Sequence, residues 1–372
     1  MTLATPIEAA SRTSVAASPT VAVVYTRPET VLEDIERAME LASFTAALPQ
    51  DVQTLLKINI SWQHYYPACS TSPWQLDGVI RALKSAGYDD LVPIHNGTVV
   101  VDPKEGALNN KHEAVTERHG LESVFLEDVR WVDYEPKSPL LVLDKVYPDG
   151  FQIPEMMAGK NVVHLPTIKT HVFTTMTGAM KNAFGGLLNY QRHWTHSVIH
   201  ETLVDLLRIQ KEIHPGIFAV TDGTFAGDGP GPRAMRWHAK NVILAGADQV
   251  AIDAVAASMM GFDPMSIGFI RLAHEQGLGT GRVEEIEVVG EDIEEVNWGF
   301  KSAENTFASR GQKLIYWGPL KPLENMLLRS PITPWAYAAS NIYHNDYWLR
   351  FIGSKRVDAA LKTEWGKLFR SY

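Results

Sequence analysis

The chain reads as an α/β protein of two lobes, each a mostly parallel sheet covered by helices, with a cleft between them and an aromatic-rich C-terminal extension. Three observations predict this. Short apolar, β-branched runs alternate with amphipathic stretches along most of the chain. The runs end in polar or glycine residues, as strands do where their carboxyl ends face a ligand crevice. The alternation falters once near the middle and then resumes, which divides 372 residues into two units of ordinary size. On this pattern the lobes are Rossmann-like. They span 21–150 and 151–295, with a flexible tail over 1–20 and an extension over 296–372 packed on the lobes.

Each element has its own signal. "TVAVVYT" is a β-branched run and predicts a strand. "ETVLEDIERAMELA" sets Val31, Ile35, Ala38, Met39 and Leu41 near helical spacing. "VQTLLKINISW" is a strand with Lys57 and Asn59 near its end. "SPWQLDGVIRALKSAG" opens on Ser72 as N-cap and Pro73 at the first helical position, and stops at Gly87. "LVPIHNG" is a strand ending at His95 and Asn96. Between Gly106 and Pro154 the pattern is less periodic, with a helix in "NKHEAVTERHG", a strand in "LLVLDKVY" and the place of a lid or connection. The alternation resumes with "GKNVVHLPTIKTH" as strand and "HETLVDLLRIQKEIHPG" as helix. "IFAVTDG" is a strand ending at Asp222, followed by a glycine-rich loop through "GDGPGPR". Then come the strand "NVILAGAD", the helices "QVAIDAVAASMMG" and "MSIGFIRLAHEQG", and the strand "EEIEVVGE".

Composition narrows the function. The formal net charge of -9 opposes a nucleic-acid or anionic-membrane surface, which needs a basic field. It leaves room for a small basic pocket. Cys69 is the single cysteine, so no internal disulfide and no cysteine-ligated iron–sulfur cluster can form. That composition suits a reducing compartment, and a cytoplasmic location is expected. The first residues lack the basic start and apolar core of a secretory signal. No run of about 18 apolar residues predicts a membrane span. The aromatic tail after Gly299 either packs across its own chain or supplies a surface for a homo-oligomer.

The strand-end rule selects candidate residues. Lys169 and His171 stand two apart at the end of an apolar run, so a strand points them to one face. An ammonium beside an imidazole suits a carboxylate or phosphate, with the histidine able to move a proton. Lys181 and Asn182 follow in an apolar, glycine-containing segment, where a lysine must find an anion, shift its pKa or reach water. Lys57, Asn59 and Asn96 sit at other strand ends. Asp222 and Asp228 can orient the histidine or hold a cation, Gly229 allows close backbone approach, and Asp253 faces either the cleft or the lysines. Asp248 is expected to cap the helix that follows it. In "HWTHSVIH", His193, His196 and His200 fall on one face if the segment is helical and can then share a divalent metal. No nucleophile elbow of the G-x-S-x-G type is present.

"LPTIKTH", "TGAMKNAFGG", "VTDGTFAGDGPGP", "ADQVAIDAVAASMMGFDP" and "IRLAHEQGLG", in this order and spacing, resemble the uncharacterised domain family 362. "LKINIS" and "STSPWQLDGVIRALKSAG" resemble its amino-terminal half. The resemblance runs from about Val21 to Gly290 and implies a two-lobed α/β fold. Many members carry ferredoxin-like cysteine motifs; this chain has none, so no cluster-based redox role carries over. The family is more distantly similar to the nickel-pincer lactate racemase group, which uses lysine and histidine around a metal cofactor. That likeness is one of fold and assigns no activity.

Together these readings predict an enzyme acting on a small anionic metabolite. Lys57, Lys169 and Lys181 hold the anion and His171 serves as acid or base. A metal- or cofactor-dependent isomerase or redox enzyme, and a non-catalytic binding or scaffold protein, are the alternatives.

Overall fold

Described in the computed structural model are residues 18–98, 100–324, 326 and 341–372. Most of the expected tail therefore lies outside the described residues. The strands in chain order are β1 (Thr20–Tyr25), β2 (Thr54–Ile58), β3 (Leu91–His95), β4 (Val124–Phe125), β5 (Trp131–Tyr134), β6 (Phe151–Pro154), β7 (Asn161–Leu165), β8 (Thr167–His171), β9 (Thr175–Met176), β10 (Ile217–Asp228), β11 (Arg236–Ala239), β12 (Val242–Gly246) and β13 (Glu287–Gly290). The main sheet has the order β13-β1-β12-β10-β7-β2-β3-β4. From β10 to β4 every pairing is parallel, and β13 is parallel to β1. β12 runs against both its neighbours, β1 and β10.

The expected mostly parallel α/β architecture is present. The two halves do not form separate sheets, because β2 pairs with β7 from Thr54↔Asn161 to Ile58↔Leu165. Both strands are buried along their whole length, so each requires neighbours on both edges and cover on both faces. The sheet consequently runs through both halves, and the crevice lies over its carboxyl edge.

Alternation along the strands divides the core. Val21 and Val23 of β1 face one layer with Leu55, Ala219 and Leu244, against the helices Ile199–Ile213, Gln249–Met260 and Gly268–Glu275. Ala22 and Val24 face the other with Leu56, Val163 and Ile243, against the helices Val31–Leu41 and Pro73–Ser85. The predicted caps are formed. The Ser72 side chain accepts from the Gln75 amide, and Asp248 accepts from Val250 and Ala251. The chain's end joins the second layer: Trp365 lies 5.0 Å from Trp74, Phe369 stacks on Tyr65 at 3.8 Å, and Trp348 packs on Tyr66 at 5.4 Å.

Three elements differ from expectation. "LLVLDKVY" contains a short helix, Leu143–Val146, in place of a strand. The Asp205 carboxylate takes the amides of Leu141, Val142 and Leu143, which curls the backbone around one acceptor. The strand expected to stop at Asp222 runs on to Asp228 and pairs with β11. Its glycines serve packing there: a Cβ on Gly223 would stand 2.7 Å from Val242, and one on Gly227 would stand 2.5 Å from Met235. The third is Tyr190–Val198, which is a 3-10 helix followed by the α-helix from Ile199. The one-face spacing of an α-helix does not apply across that join.

Candidate functional site

A cavity of about 300 Å³ opens at the carboxyl edge of the parallel strands. It sits where the strand order reverses, since β2 is followed outward by β3 and β4 on one side and by β7 and β10 on the other. Asn59 follows β2, Asn96 follows β3, Lys169 and His171 lie on β8, and Arg233 follows β10. Lys181 and Asn182 come from the short helix Ala179–Asn182, and the helix Phe307–Tyr316 of the extension adds Ser309, Gln312 and Tyr316.

The lining is cationic. Lys169, Lys181, Arg192 and Arg233 all border the cavity, and no aspartate or glutamate does among the described residues. Lys169 Nζ donates to the Cys69 carbonyl at 3.0 Å and to Thr167 Oγ1 at 2.6 Å. Burial brings its pKa down to about 8. Lys181 Nζ lies 5.1 Å from the centroid of the Phe184 ring and meets no acceptor among the described residues. Burial, with Lys169 and Arg192 adding repulsion, lowers it to about 7. Arg233 is held at one point, by Nε donating to the Ser61 carbonyl at 3.0 Å. Its terminal nitrogens meet no acceptor among the described residues. Arg192 donates to the carbonyls of Leu188, Asn189 and Gly97.

Two histidines present different nitrogens. His171 Nδ1 accepts the Phe173 amide at 3.2 Å, which puts the proton of the neutral ring on Nε2. Burial and then the Lys181 charge hold the ring well below its usual pKa, so it stays neutral. His196 Nδ1 lies 2.9 Å from the His193 carbonyl, so Nδ1 is the donor and Nε2 carries the lone pair. Burial pushes His196 down to about 3, and its ring stacks on Tyr316. The cavity thus offers one imidazole donor and one imidazole acceptor.

The structure brings Asn59, Asn96, Lys169, His171, Lys181, Asn182, His193 and His196 to one cavity. Lys57 lies behind the wall. Its Nζ donates to Asn96 Oδ1 and to the Ile58 carbonyl, each at 2.7 Å. Burial and Arg192 lower it to about 7. Gly229 lies beside the lining and its carbonyl accepts from Thr170.

The aspartates are elsewhere. Asp222 accepts the Thr224 amide inside the protein, and burial raises its pKa. Asp228 accepts the Lys301 amide at 2.7 Å and the Arg236 guanidinium at 2.8 Å. Burial would raise its pKa, but those donors outweigh it and hold the carboxyl below its ordinary value. Arg236 also reaches Glu304, so this trio anchors the segment that leads to the helix Phe307–Tyr316. Asp253 takes the amides of Ala179 and Met180 at 2.6 and 3.1 Å and so fixes the helix carrying Lys181. Gly178 makes this possible, since a Cβ there would stand 2.3 Å from the Asp253 carboxylate.

His200 Nδ1 accepts the Phe269 amide and its ring stacks on Phe269, away from His193 and His196. Among the described residues no group of three or more His, Cys, Asp or Glu is placed to hold a metal ion. The residues sequence reasoning missed are Arg192, Arg233, Ser309 and Tyr316. Arg233 closes the glycine-rich "GPGPR" loop, and Arg192 precedes His193, so both carry a local signal. Ser309 and Tyr316 reach the site only through long-range packing.

Fold and site define a mostly parallel α/β protein with a cationic cavity at the strand-order switch. Residues 54–258 match the family described as Domain of unknown function (DUF362), over half of the chain, and the chain belongs to that family. A thylakoid-associated protein of Synechocystis sp. is 28% identical over 137 residues, which covers 35% of this chain and 41% of that protein. The chain thus matches about two fifths of that relative's length. No solved structure matches. Among the described residues no helix is long and apolar enough to cross a membrane.

Proposed function

We propose that the cavity binds a small carboxylate- or phosphate-bearing metabolite and moves a proton on it. One observation carries this reading: four lysine and arginine side chains line about 300 Å³ of space that no carboxylate borders among the described residues. Lys181 Nζ and the terminal nitrogens of Arg233 meet no acceptor among the described residues, and an anion offsets the cost of holding such charges partly away from water. Arg233 supplies the fork, because its terminal nitrogens point to no protein acceptor among the described residues. Lys169 adds a fixed charge beside it.

His171 then donates from Nε2 to an oxygen of the bound molecule, where charge develops as a proton leaves the neighbouring carbon. Lys181, without an acceptor among the described residues and lowered to about 7, can take that proton near neutral pH. The relative's association with thylakoids adds no substrate. A cytoplasmic location is retained as part of this reading.

The test is a thermal-shift and calorimetric panel of lactate, malonate and inorganic phosphate against the wild type, Lys169→Ala and His171→Ala. The reading expects one of the three to bind the wild type. It expects Lys169→Ala to lose that binding and His171→Ala to weaken it, both with nearly unchanged melting temperatures. Equal binding by all three proteins, or binding by none, would count against it.

A further inference from the structure

We infer that Lys181 is an imine-forming lysine and that the anion the cavity takes is a small oxo acid, with a carbonyl beside its carboxylate. This rests on the anion-binding reading above. Three lysines stand at the carboxyl edge, Lys57 and Lys169 buried and Lys181 half-buried, and the first two donate to protein acceptors. Lys57 Nζ donates to Asn96 and Ile58, and Lys169 Nζ donates to Cys69 and Thr167, which leaves the Lys169 ammonium one N–H for an anion. Lys181 alone has no acceptor among the described residues, and its Nζ rests over the Phe184 ring in the cavity wall. Its helix is pinned by Asp253, so the side chain leaves a fixed backbone.

An amine with a free lone pair and a fixed stem is what attack on a carbonyl carbon requires. Desolvation, with the neighbouring charges of Lys169 and Arg192, favours that neutral form, in keeping with a pKa of about 7. Arg233 and Lys169 in the same cavity take the carboxylate, which presents the adjacent carbonyl to the amine.

The step balances without any co-reactant. The Nζ lone pair forms a bond to the carbonyl carbon, and the carbon–oxygen π pair moves to oxygen, where His171 Nε2–H supports the charge. His196 Nε2 accepts a proton from the attacking nitrogen and returns it to that oxygen. The second proton of that nitrogen follows the same route through His196 Nε2, so the oxygen leaves as water while nitrogen supplies the second bond to carbon. One water departs, one C=N bond forms, and nothing is oxidised or reduced.

The experiment incubates the full-length protein with pyruvate, adds sodium cyanoborohydride and measures intact mass and peptide maps. The expected result is a single adduct, equal in mass to pyruvic acid less one oxygen, located on Lys181. It is lost in both Lys181→Arg and Lys181→Met, each checked for an unchanged melting temperature. Lactate binding, read by calorimetry on the same proteins, separates the two levels. Lactate binding with no adduct from pyruvate, glyoxylate or 2-oxoglutarate would overturn the imine and leave anion binding standing. Absence of an adduct together with no binding of lactate, malonate or inorganic phosphate would overturn both. An adduct that persists in the Lys181 variants would assign the chemistry to another amine and overturn this inference.

Discussion

The Lys57 ammonium donates to Asn96 Oδ1 at 2.7 Å and thereby holds the carboxamide that borders the cavity. Its charge is spent on the wall, and Lys57 shapes the site from behind. Burial lowers this lysine from 10.5 to about 7. Between those values the unfolded chain binds the extra proton, so stability rises with pH across the window. The cost is fully present below about pH 7 and is relieved towards pH 10.5. Lys57→Met removes this dependence. Urea unfolding from pH 7 to pH 10 is expected to show a shallower rise for the variant than for the wild type. Parallel pH profiles would contradict the assignment.

Asp253 holds two amides of the helix that carries Lys181. Asp253→Ala leaves both donors buried and unpaired. The expected loss is on the order of 3 kcal/mol in urea unfolding, because each unsatisfied buried donor costs about 1–3 kcal/mol. Lactate binding should fall as well, since the helix that lines the cavity loses its anchor. A stability change within the range of an ordinary surface substitution would show that the helix is held by something else.

Arg236 bridges Asp228 and Glu304 and is itself partly exposed. Arg236→Ala is expected to cost no more than about 1 kcal/mol, as exposed ion pairs are screened. Its clearer effect should be faster proteolysis within residues 301–324, the segment this trio fastens. An unchanged cleavage rate there would remove the anchoring role.

Anion binding and proton uptake should be linked. Lys169 and Lys181 stand at about 8 and about 7 in the free protein, and a bound anion raises both. Above those values binding must take up protons, and affinity falls as pH rises. Below about pH 7 both lysines are already charged, so little uptake remains. Calorimetry of lactate binding at pH 8 in two buffers of different ionisation enthalpy measures the number directly. Zero uptake at that pH would contradict the lowered lysines.

Much of the site is legible in the residues themselves. Strand ends bring side chains to one edge, so Lys169, His171, Asn59 and Asn96 follow from alternation alone. Lys181 and Asn182 stand out as polar groups in apolar sequence. The roles of Asp222, Asp228 and Asp253 are not legible, because their partners are backbone amides or residues distant in sequence. The joining of both halves in one sheet is also hidden, since a buried strand's neighbours leave no mark on its own residues. The glycines after Asp222 suggest a ligand loop, yet two of them admit Val242 and Met235 beside a strand. Tyr316 and Ser309 enter through the packing of the extension, for which no local pattern exists.

The central claim is that Arg233 holds an anion in this cavity, and calorimetric titration of pyruvate into the wild type and Arg233→Ala tests it most directly. The account predicts saturable binding to the wild type that weakens with salt and drops about 10- to 100-fold in the variant, the worth of one charge-assisted fork. Equal affinities in the two proteins, or no binding to the wild type, would contradict it.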